Sequence, residues 1–394
     1  MPSETPLPRA RIAVLGFITI SVYGSWYYGF GVLLDPIIAD TGWSEATLTA
    51  VFGASSLVAG LGSMFGGWLL DRHGSRLTFG LAALLGVTAF SLATSTTSLA
   101  VFAIAAAIGG GAFGALGFYH VTQTAAVRVS PDAATRAIAV LTIWGAFASA
   151  IYIPLTAWLV EAVGWRTTLR ITIATAIGWL VAGALTIDTR MVDRSRNPIW
   201  SELARSLRSP VARRYVAAQG LVGMGVAIIL VYQVPAMTAA GLGLGAASFW
   251  AAFRGFAQLG GRLPLMPIVN RLQTTGALRL SYGAIVFGAV LLAFAGNPWV
   301  AAGFALVAGF GIGASSPLQG MHARLVFGAS SLGTAMGLLS LAFMVIGSIG
   351  PALAGSVATA TGSRAIPVLG GAVLTALAIP LIRAPDEVRS DALR

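Results

Sequence analysis

The sequence predicts an all-α integral membrane protein, with twelve transmembrane helices arranged as two pseudo-symmetric six-helix bundles. Three observations carry that prediction. Of the 394 residues, 57% are hydrophobic and only 9% charged, whereas a soluble domain carries roughly 25% charged residues. A water-facing surface cannot be built from so few charges, so most of the surface must face lipid. Apolar runs of membrane-crossing length recur along the whole chain, and the second half repeats motifs of the first at a nearly constant offset.

A helix crossing the hydrocarbon core needs about 20 apolar residues. The first run, Ile12 to Leu34, is longer than the roughly 7–15 residues of a signal-peptide core, and no small-residue cleavage site follows it. It reads as span one. Spans two to six fall at 47–70, 77–95, 99–126, 137–160 and 167–187. Spans seven to twelve fall at 214–238, 247–269, 280–296, 299–322, 333–358 and 365–383. Glycine is frequent inside them, which in water would argue against helix. In lipid the backbone has no other hydrogen-bond partner, and Gly lets helices approach closely. Gly109 to Gly117 and Gly309 to Gly313 read as such packing surfaces, and Pro154 and Pro351 as matching kinks. The polar stretch 188–213 is a linker that separates an N-terminal bundle, 1–187, from a C-terminal bundle, 214–394.

All 24 basic residues are arginine, and nineteen of them fall on one side if the N-terminus is cytoplasmic. These include Arg72, Arg76, Arg128, Arg389, Arg394 and a linker group with Arg190, Arg194, Arg196, Arg205 and Arg208. Only Arg166, Arg170 and Arg364 fall outside, while Arg254 and Arg262 lie within a span. The positive-inside bias therefore predicts both termini and the linker in the cytoplasm, in a multi-pass protein of the cell inner membrane. The internal repeat is equally direct. Asp71-Arg72 returns as Asn270-Arg271, Gly109-Gly110-Gly111 as Gly309-Phe310-Gly311, and Pro154 with Gly164-Trp165-Arg166 as Pro351 with Gly362-Ser363-Arg364. Transporters built from two repeats hold their ligand near the bilayer midplane, at the repeat interface.

Several function classes drop out. The net charge of +11 sits in gaps between apolar runs, without the basic, aromatic-interleaved face of a nucleic-acid binder. The sequence has no Cys and only three scattered His, which excludes disulfides and leaves no basis for a metal site. No Walker loop occurs, and the G-x-G patterns lie inside apolar spans with no preceding strand, so they are not nucleotide loops. No cofactor and no enzymatic activity are expected.

The segment Gly67-x-x-x-Asp71-Arg72-His73-Gly74-Ser75-Arg76 resembles the signature loop of the major facilitator superfamily. Phe30-Gly31-Val32 through Asp40-Thr41-Gly42-Trp43-Ser44, and Gly164-Trp165-Arg166, resemble its monocarboxylate-porter and oxalate–formate-antiporter branches. Phe256-Ala257-Gln258-Leu259-Gly260-Gly261-Arg262 is similar to the span-eight segment that carries their substrate-binding arginine. The resemblance implies a major facilitator fold, a substrate-binding role for Arg262, and a loop of Gly67, Asp71, Arg72, Gly74 and Arg76 that couples helices during switching and holds the inward gate closed. It also implies departures. Tyr28 stands where the eukaryotic monocarboxylate porters have a lysine, and Gln258 where they have the proton-coupling aspartate. No basic residue lies between Thr334 and Thr361 to form the second arm of an oxalate–formate clamp.

Among the residues themselves, Arg262 lies eight residues before Asn270, or ~12 Å along a helix rising 1.5 Å per residue. That places it deep in the core, where a guanidinium needs water or a partner. Its planar fork matches a carboxylate; the alternative is a structural arginine held by backbone carbonyls. Arg254 lies ~12 Å further out and either draws in anions or snorkels to the interface. Tyr27 and Tyr28, with Trp26, would line an apolar cavity in span one. Tyr119, His120 and Gln123 form the most polar patch of span four, with His120 a candidate proton relay. Asp35 is the other proton candidate, at the outer end of span one. Gln233 and Gln319 are polar lining residues or interhelical glue, and His322 is given no role.

The sequence therefore predicts a secondary transporter of a small organic anion, a monocarboxylate foremost, bound by Arg262 and driven by a proton or an exchanged anion. A monomer is the expected form. One rival is an exporter of drugs or neutral amphiphiles; a cation exporter would need a membrane-embedded acid, and none lies deep in any span. The other is a transporter-like sensor, for which the short linker offers little docking surface.

Overall fold

The computed structural model describes residues 7–189, 207, 209–327 and 332–383. The linker arginines 190, 194, 196, 205 and 208, and those at 389 and 394, lie outside the described residues. The chain divides into two compact units, Met1–Arg194 and Ser195–Arg394.

In the first unit α1 (Arg9–Val22) runs through a π-helical turn, Tyr23–Tyr28, into α2 (Phe30–Thr41). Helix α3 (Glu45–Ser95) has 51 residues, about 76 Å at 1.5 Å per residue, which is too long for one crossing. It breaks at Gly74, where φ is 78° and ψ 179°. A side chain there would be strained, so glycine takes the turn between spans two and three. Helix α4 (Leu99–Gly117) and α5 (Tyr119–Val129) form one passage interrupted at Phe118. Helix α6 (Ala134–Thr186) breaks at Gly164 and supplies two passages.

The second unit contains α7 (Pro210–Ala239), α8 (Leu244–Arg262), α9 (Leu265–Ala293, broken at Gln273), α10 (Pro298–Phe327), α11 (Leu332–Gly347), α12 (Ile349–Thr361) and α13 (Ala365–Ala378). Eight helical stretches are individually long and apolar enough to cross a membrane. Glu45–Ser95 and Arg136–Thr186 are double-length, and Leu244–Arg262 and Ala365–Leu381 supply two further passages. The described residues thus hold twelve passages, six in each unit. Large apolar residues such as Leu61, Ile104, Trp158 and Trp299 are exposed on these helices, as a surface in contact with lipid allows.

The internal repeat is written in the backbone as well as in the motifs. The positive-φ residues among those described are Gly42, Gly74, Gly164, Gly241, Gln273 and Gly362. They form three pairs, Gly42 with Gly241, Gly74 with Gln273 and Gly164 with Gly362, separated by 199, 199 and 198 positions. The same three turns therefore recur in the same order in both units.

Within the first unit α1 and the start of α6 run side by side in a fixed register. Gly16 meets the Trp144 ring and Gly24 the Tyr152 ring, each pair 128 positions apart. Beyond the π-helical turn Gly29 faces Thr156, 127 positions on. The turn inserts one extra residue into span one, as a π-bulge does, and rotates everything after it relative to α6.

Candidate functional site

The π-helical turn gathers an aromatic group in the first unit. Tyr23 stacks on Phe118, with ring centroids 3.7 Å apart and planes at 9°. Tyr27 meets Tyr28 edge-on at 5.4 Å and Phe118 at 5.8 Å, and Tyr119 lies 5.3 Å from Tyr23. Tyr27, Tyr28 and Tyr119 therefore share one neighbourhood, through Tyr23 and Phe118, which the sequence reading did not single out. Trp26 turns the other way: it is buried, donates from Nε1 to Ser55 Oγ at 3.0 Å, and packs against Phe30, Phe52 and Phe90. Adjacent helical positions point ~100° apart, which separates its direction from that of Tyr27.

Around this group the polar residues of span four are tied to protein. His120 Nε2 lies 2.9 Å from Ala115 O, so the ring satisfies a carbonyl beside the break at Phe118. Tyr119 Oη donates to Thr142 O at 3.4 Å and Gln123 Nε2 to Thr142 Oγ1 at 3.2 Å, both on α6. Asp35 sits half-buried in α2, two turns beyond the bulge.

The signature loop is held from two sides. Asp71 forms an ion pair with Arg128 of α5, whose Nη1 also donates to Leu70 O at 2.8 Å. On the other side Ser75 Oγ donates to Ile187 O at 2.5 Å, and Ser75 N–H to Thr189 Oγ1 at 3.0 Å. Arg76 Nε donates to Ala184 O at 3.3 Å, and the Arg72 guanidinium lies 5.8 Å from the Trp68 ring centre. A Cβ on Gly74 would stand 2.7 Å from Thr189 O, while one on Gly67 would meet nothing within 4 Å. The sequence reading places Arg128 only among the topology-setting charges; its position just past the apolar run of span four is the available signal.

In the second unit Arg254 is fully buried and its Nε donates to Gln233 Oε1 at 2.8 Å. Gln233 Nε2 in turn donates to Leu230 O at 3.2 Å, which orients the amide with its oxygen toward the arginine. Snorkelling, one of the two sequence readings for Arg254, is not what the structure shows. Arg262 ends α8, ahead of the turn at Leu263 and Pro264, and is half-buried with Nε 3.4 Å from Gly313 O. A cation at a helix C-terminus is favoured by the helix dipole. The backbones of α8 and α10 touch here, since a Cβ on Gly313 would be 2.0 Å from Gln258 O. Gln319 belongs to a different group: its Nε2 and that of Gln219 donate to Tyr282 Oη at 3.1 and 3.0 Å, and Tyr215 Oη donates to Gln319 O at 2.8 Å. From 203 to 385 the sequence contains no Asp or Glu, so the passages of this unit carry arginines and no acid.

The profile of the Major Facilitator Superfamily matches residues 15–326. The chain belongs to that superfamily. Superfamily members of solved structure share its fold. A point mutant of the nucleoside transporter NupG superposes with a TM-score of 0.80 at 16% identity, covering 95% of this chain and 100% of the other. A bacterial homolog of the human lysosomal transporter Spinster, inward-facing and unoccupied, gives 0.75 at 14% identity, covering 96% and 97%. An auto-inhibited POT family peptide transporter gives 0.68 at 16%, covering 95% and 96%. No curated protein matches the chain. The superfamily membership makes this a multi-pass membrane transporter rather than an enzyme, and these neighbours differ among themselves in what their names say they carry, so the fold selects no substrate.

Proposed function

We propose that this major facilitator carries a small organic anion, a monocarboxylate foremost, by alternating access, with both termini in the cytoplasm of a cell whose inner membrane it spans. One observation carries the reading. Helix α8 bears two arginines, one fully buried, in a unit whose passages contain no Asp or Glu. Burying a guanidinium is costly unless a partner or ligand repays it, and its fork suits a carboxylate. Arg262 pairs with the carboxylate in this reading, and Arg254, held by Gln233, supplies the second positive charge. Gln258 on α8 and Gln319 on α10, the latter engaged with Tyr282, are the further polar residues proposed for the substrate path. Within the first unit, the aromatic group of Tyr27, Tyr28 and Tyr119, with Gln123 beside it, is an apolar surface of the kind a hydrophobic tail suits. Transport against a negative-inside potential calls for a co-transported cation or an exchanged anion, and His120 and Asp35 are the proton candidates. The protein works as a monomer.

The test is uptake of a radiolabelled carboxylate panel into proteoliposomes, with and without an imposed pH gradient. Wild-type protein accumulates at least one carboxylate, and Arg262→Gln abolishes that uptake while eluting as a folded species. Wild-type-like uptake by Arg262→Gln would sink the site. Uptake of neutral amphiphiles alone would favour the exporter reading.

A further inference from the structure

Pro317 lies inside α10, where its ring nitrogen carries no hydrogen. In a regular helix the N–H at 317 would donate to the carbonyl four residues back, that of Gly313. That bond cannot form, and an apolar span offers no water in its place. The nitrogen that reaches the oxygen comes from another helix: Arg262 Nε, at the end of α8, donates to Gly313 O at 3.4 Å. Two glycines, one on each helix, allow the approach. A Cβ on Gly313 would run into Gln258 O, and one on Gly261 into Phe310 O. Pro317 also stands 199 positions after Phe118, which interrupts the fourth passage of the first unit. The turns at Gly42 and Gly74 recur at the same offset. In each unit, then, the fourth passage loses regularity at this place and a side-chain nitrogen takes up a nearby carbonyl, His120 at Ala115 O and Arg262 at Gly313 O.

We propose that Pro317 is a positioning residue for Arg262: by withholding an N–H it reserves Gly313 O for Nε, and so fixes which edge of the guanidinium meets a ligand. A guanidinium grips a carboxylate through two parallel N–H bonds, and its fork is rigid and planar. With Nε held on a carbonyl, the edge that includes Nε is engaged, and the Nη1/Nη2 edge is the one presented. The carboxylate is therefore met end-on, by an arginine whose rotation about its last bonds is restrained. An amide N–H at 317 would compete for the same oxygen from within α10 and release Nε. A lysine at 262 could not serve both purposes, since its single ammonium has no second edge. That the ligand is a carboxylate rests on the function proposed above; the arrangement of Pro317, Gly313 and Arg262 does not. A proline also kinks its helix, and a kink that served only the rocking of helices would govern the rate of exchange rather than the affinity.

The experiment uses Pro317→Ala and Pro317→Leu in the full-length protein; each restores the N–H and suits a helix. The first readout is NMR of protein labelled with 15N in its arginines, the Nε–H signal of Arg262 being identified by its absence from Arg262→Lys. Exchange of that proton with solvent becomes at least about tenfold faster in both variants, the scale of one lost hydrogen bond to a charged group. The second readout is carboxylate uptake into proteoliposomes, where KM rises by a similar factor while Vmax holds. Unchanged Nε–H exchange in both variants overturns the proposal. So does a fall in Vmax at unchanged KM, the mark of a proline that only kinks. If the exchange responds as described but wild type takes up no carboxylate of the panel, the substrate reading fails and Pro317 stands as the residue that orients the guanidinium.

Discussion

The ring of His120 and the carbonyl of Ala115, 2.9 Å apart, close a gap in span four. Phe118, with φ −76° and ψ 177°, interrupts the helix between α4 and α5. The same oxygen is pressed from the other side by span two, because a Cβ on Gly66 would stand 2.0 Å from it. His120 is thus a structural donor in this conformation, whatever it does with its second nitrogen.

Replacing that donor should be felt in stability. We predict that His120→Ala lowers unfolding stability by about 1–3 kcal/mol, the cost of an unsatisfied buried carbonyl, whereas His120→Gln, which keeps an N–H, loses less. Thermal unfolding in detergent distinguishes them. The pH profile of uptake by His120→Gln then tests proton coupling separately, and a profile identical to wild type removes His120 as the proton carrier.

Neighbouring glycines in span two should behave oppositely. Gly66→Ala drives a methyl into the Ala115 carbonyl and must push α3 from α4, a cost on the order of 1–3 kcal/mol for overpacking. At Gly67 the added methyl meets nothing within 4 Å, so Gly67→Ala should be neutral or gain up to about 1 kcal/mol of helix stability. If Gly67 serves switching, as the loop resemblance implies, the variant exchanges substrate more slowly without losing stability. Equal destabilisation by both changes would contradict the packing described.

Arg254 and Gln233 should be energetically coupled. Gln233→Leu removes an acceptor from a buried guanidinium, an expected loss of about 1.5–3 kcal/mol. In Arg254→Met the glutamine loses its donor instead. The double variant should cost less than the sum of the two, by an interaction energy of roughly 0.5–3 kcal/mol typical of contacting residues. Strict additivity in the double-mutant cycle would argue against the contact.

Gln273 occupies a conformation that glycine takes at the equivalent place in the first unit. Its φ of 57° and ψ of 171° sit close to the 78° and 179° of Gly74, a region that costs a side chain of order 1–3 kcal/mol. Gln273→Gly should therefore raise the unfolding temperature, while Gly74→Ala should lower it. A fall in stability for Gln273→Gly would mean that the glutamine side chain contributes more than its backbone costs.

Much of this molecule was legible in one dimension. The lipid core leaves backbone groups no partner but each other, so long apolar runs must be helices, and their lengths and the arginine-rich gaps mark where they begin and end. The repeat was visible in Asp71-Arg72 and Asn270-Arg271, and the turn that follows each of them, at Gly74 and Gln273, recurs at the same offset. The site was read less completely. Arg262, Tyr27, Tyr28 and Tyr119 could be picked out as polar or aromatic residues in apolar spans, but the pairings of Asp71 with Arg128, His120 with Ala115 and Arg254 with Gln233 could not. Neither could the bulge at Tyr23–Tyr28, beyond which Thr156 stands opposite Gly29. In these spans almost every face is apolar, so periodicity does not say how a helix is rotated about its axis. One inserted residue rotates the remainder by ~100° without disturbing hydrophobicity. The sequence by itself determined where the chain crosses the membrane and that it does so as two related halves; helix rotation and close backbone packing, which only the tertiary structure decides, chose the partner of each polar side chain.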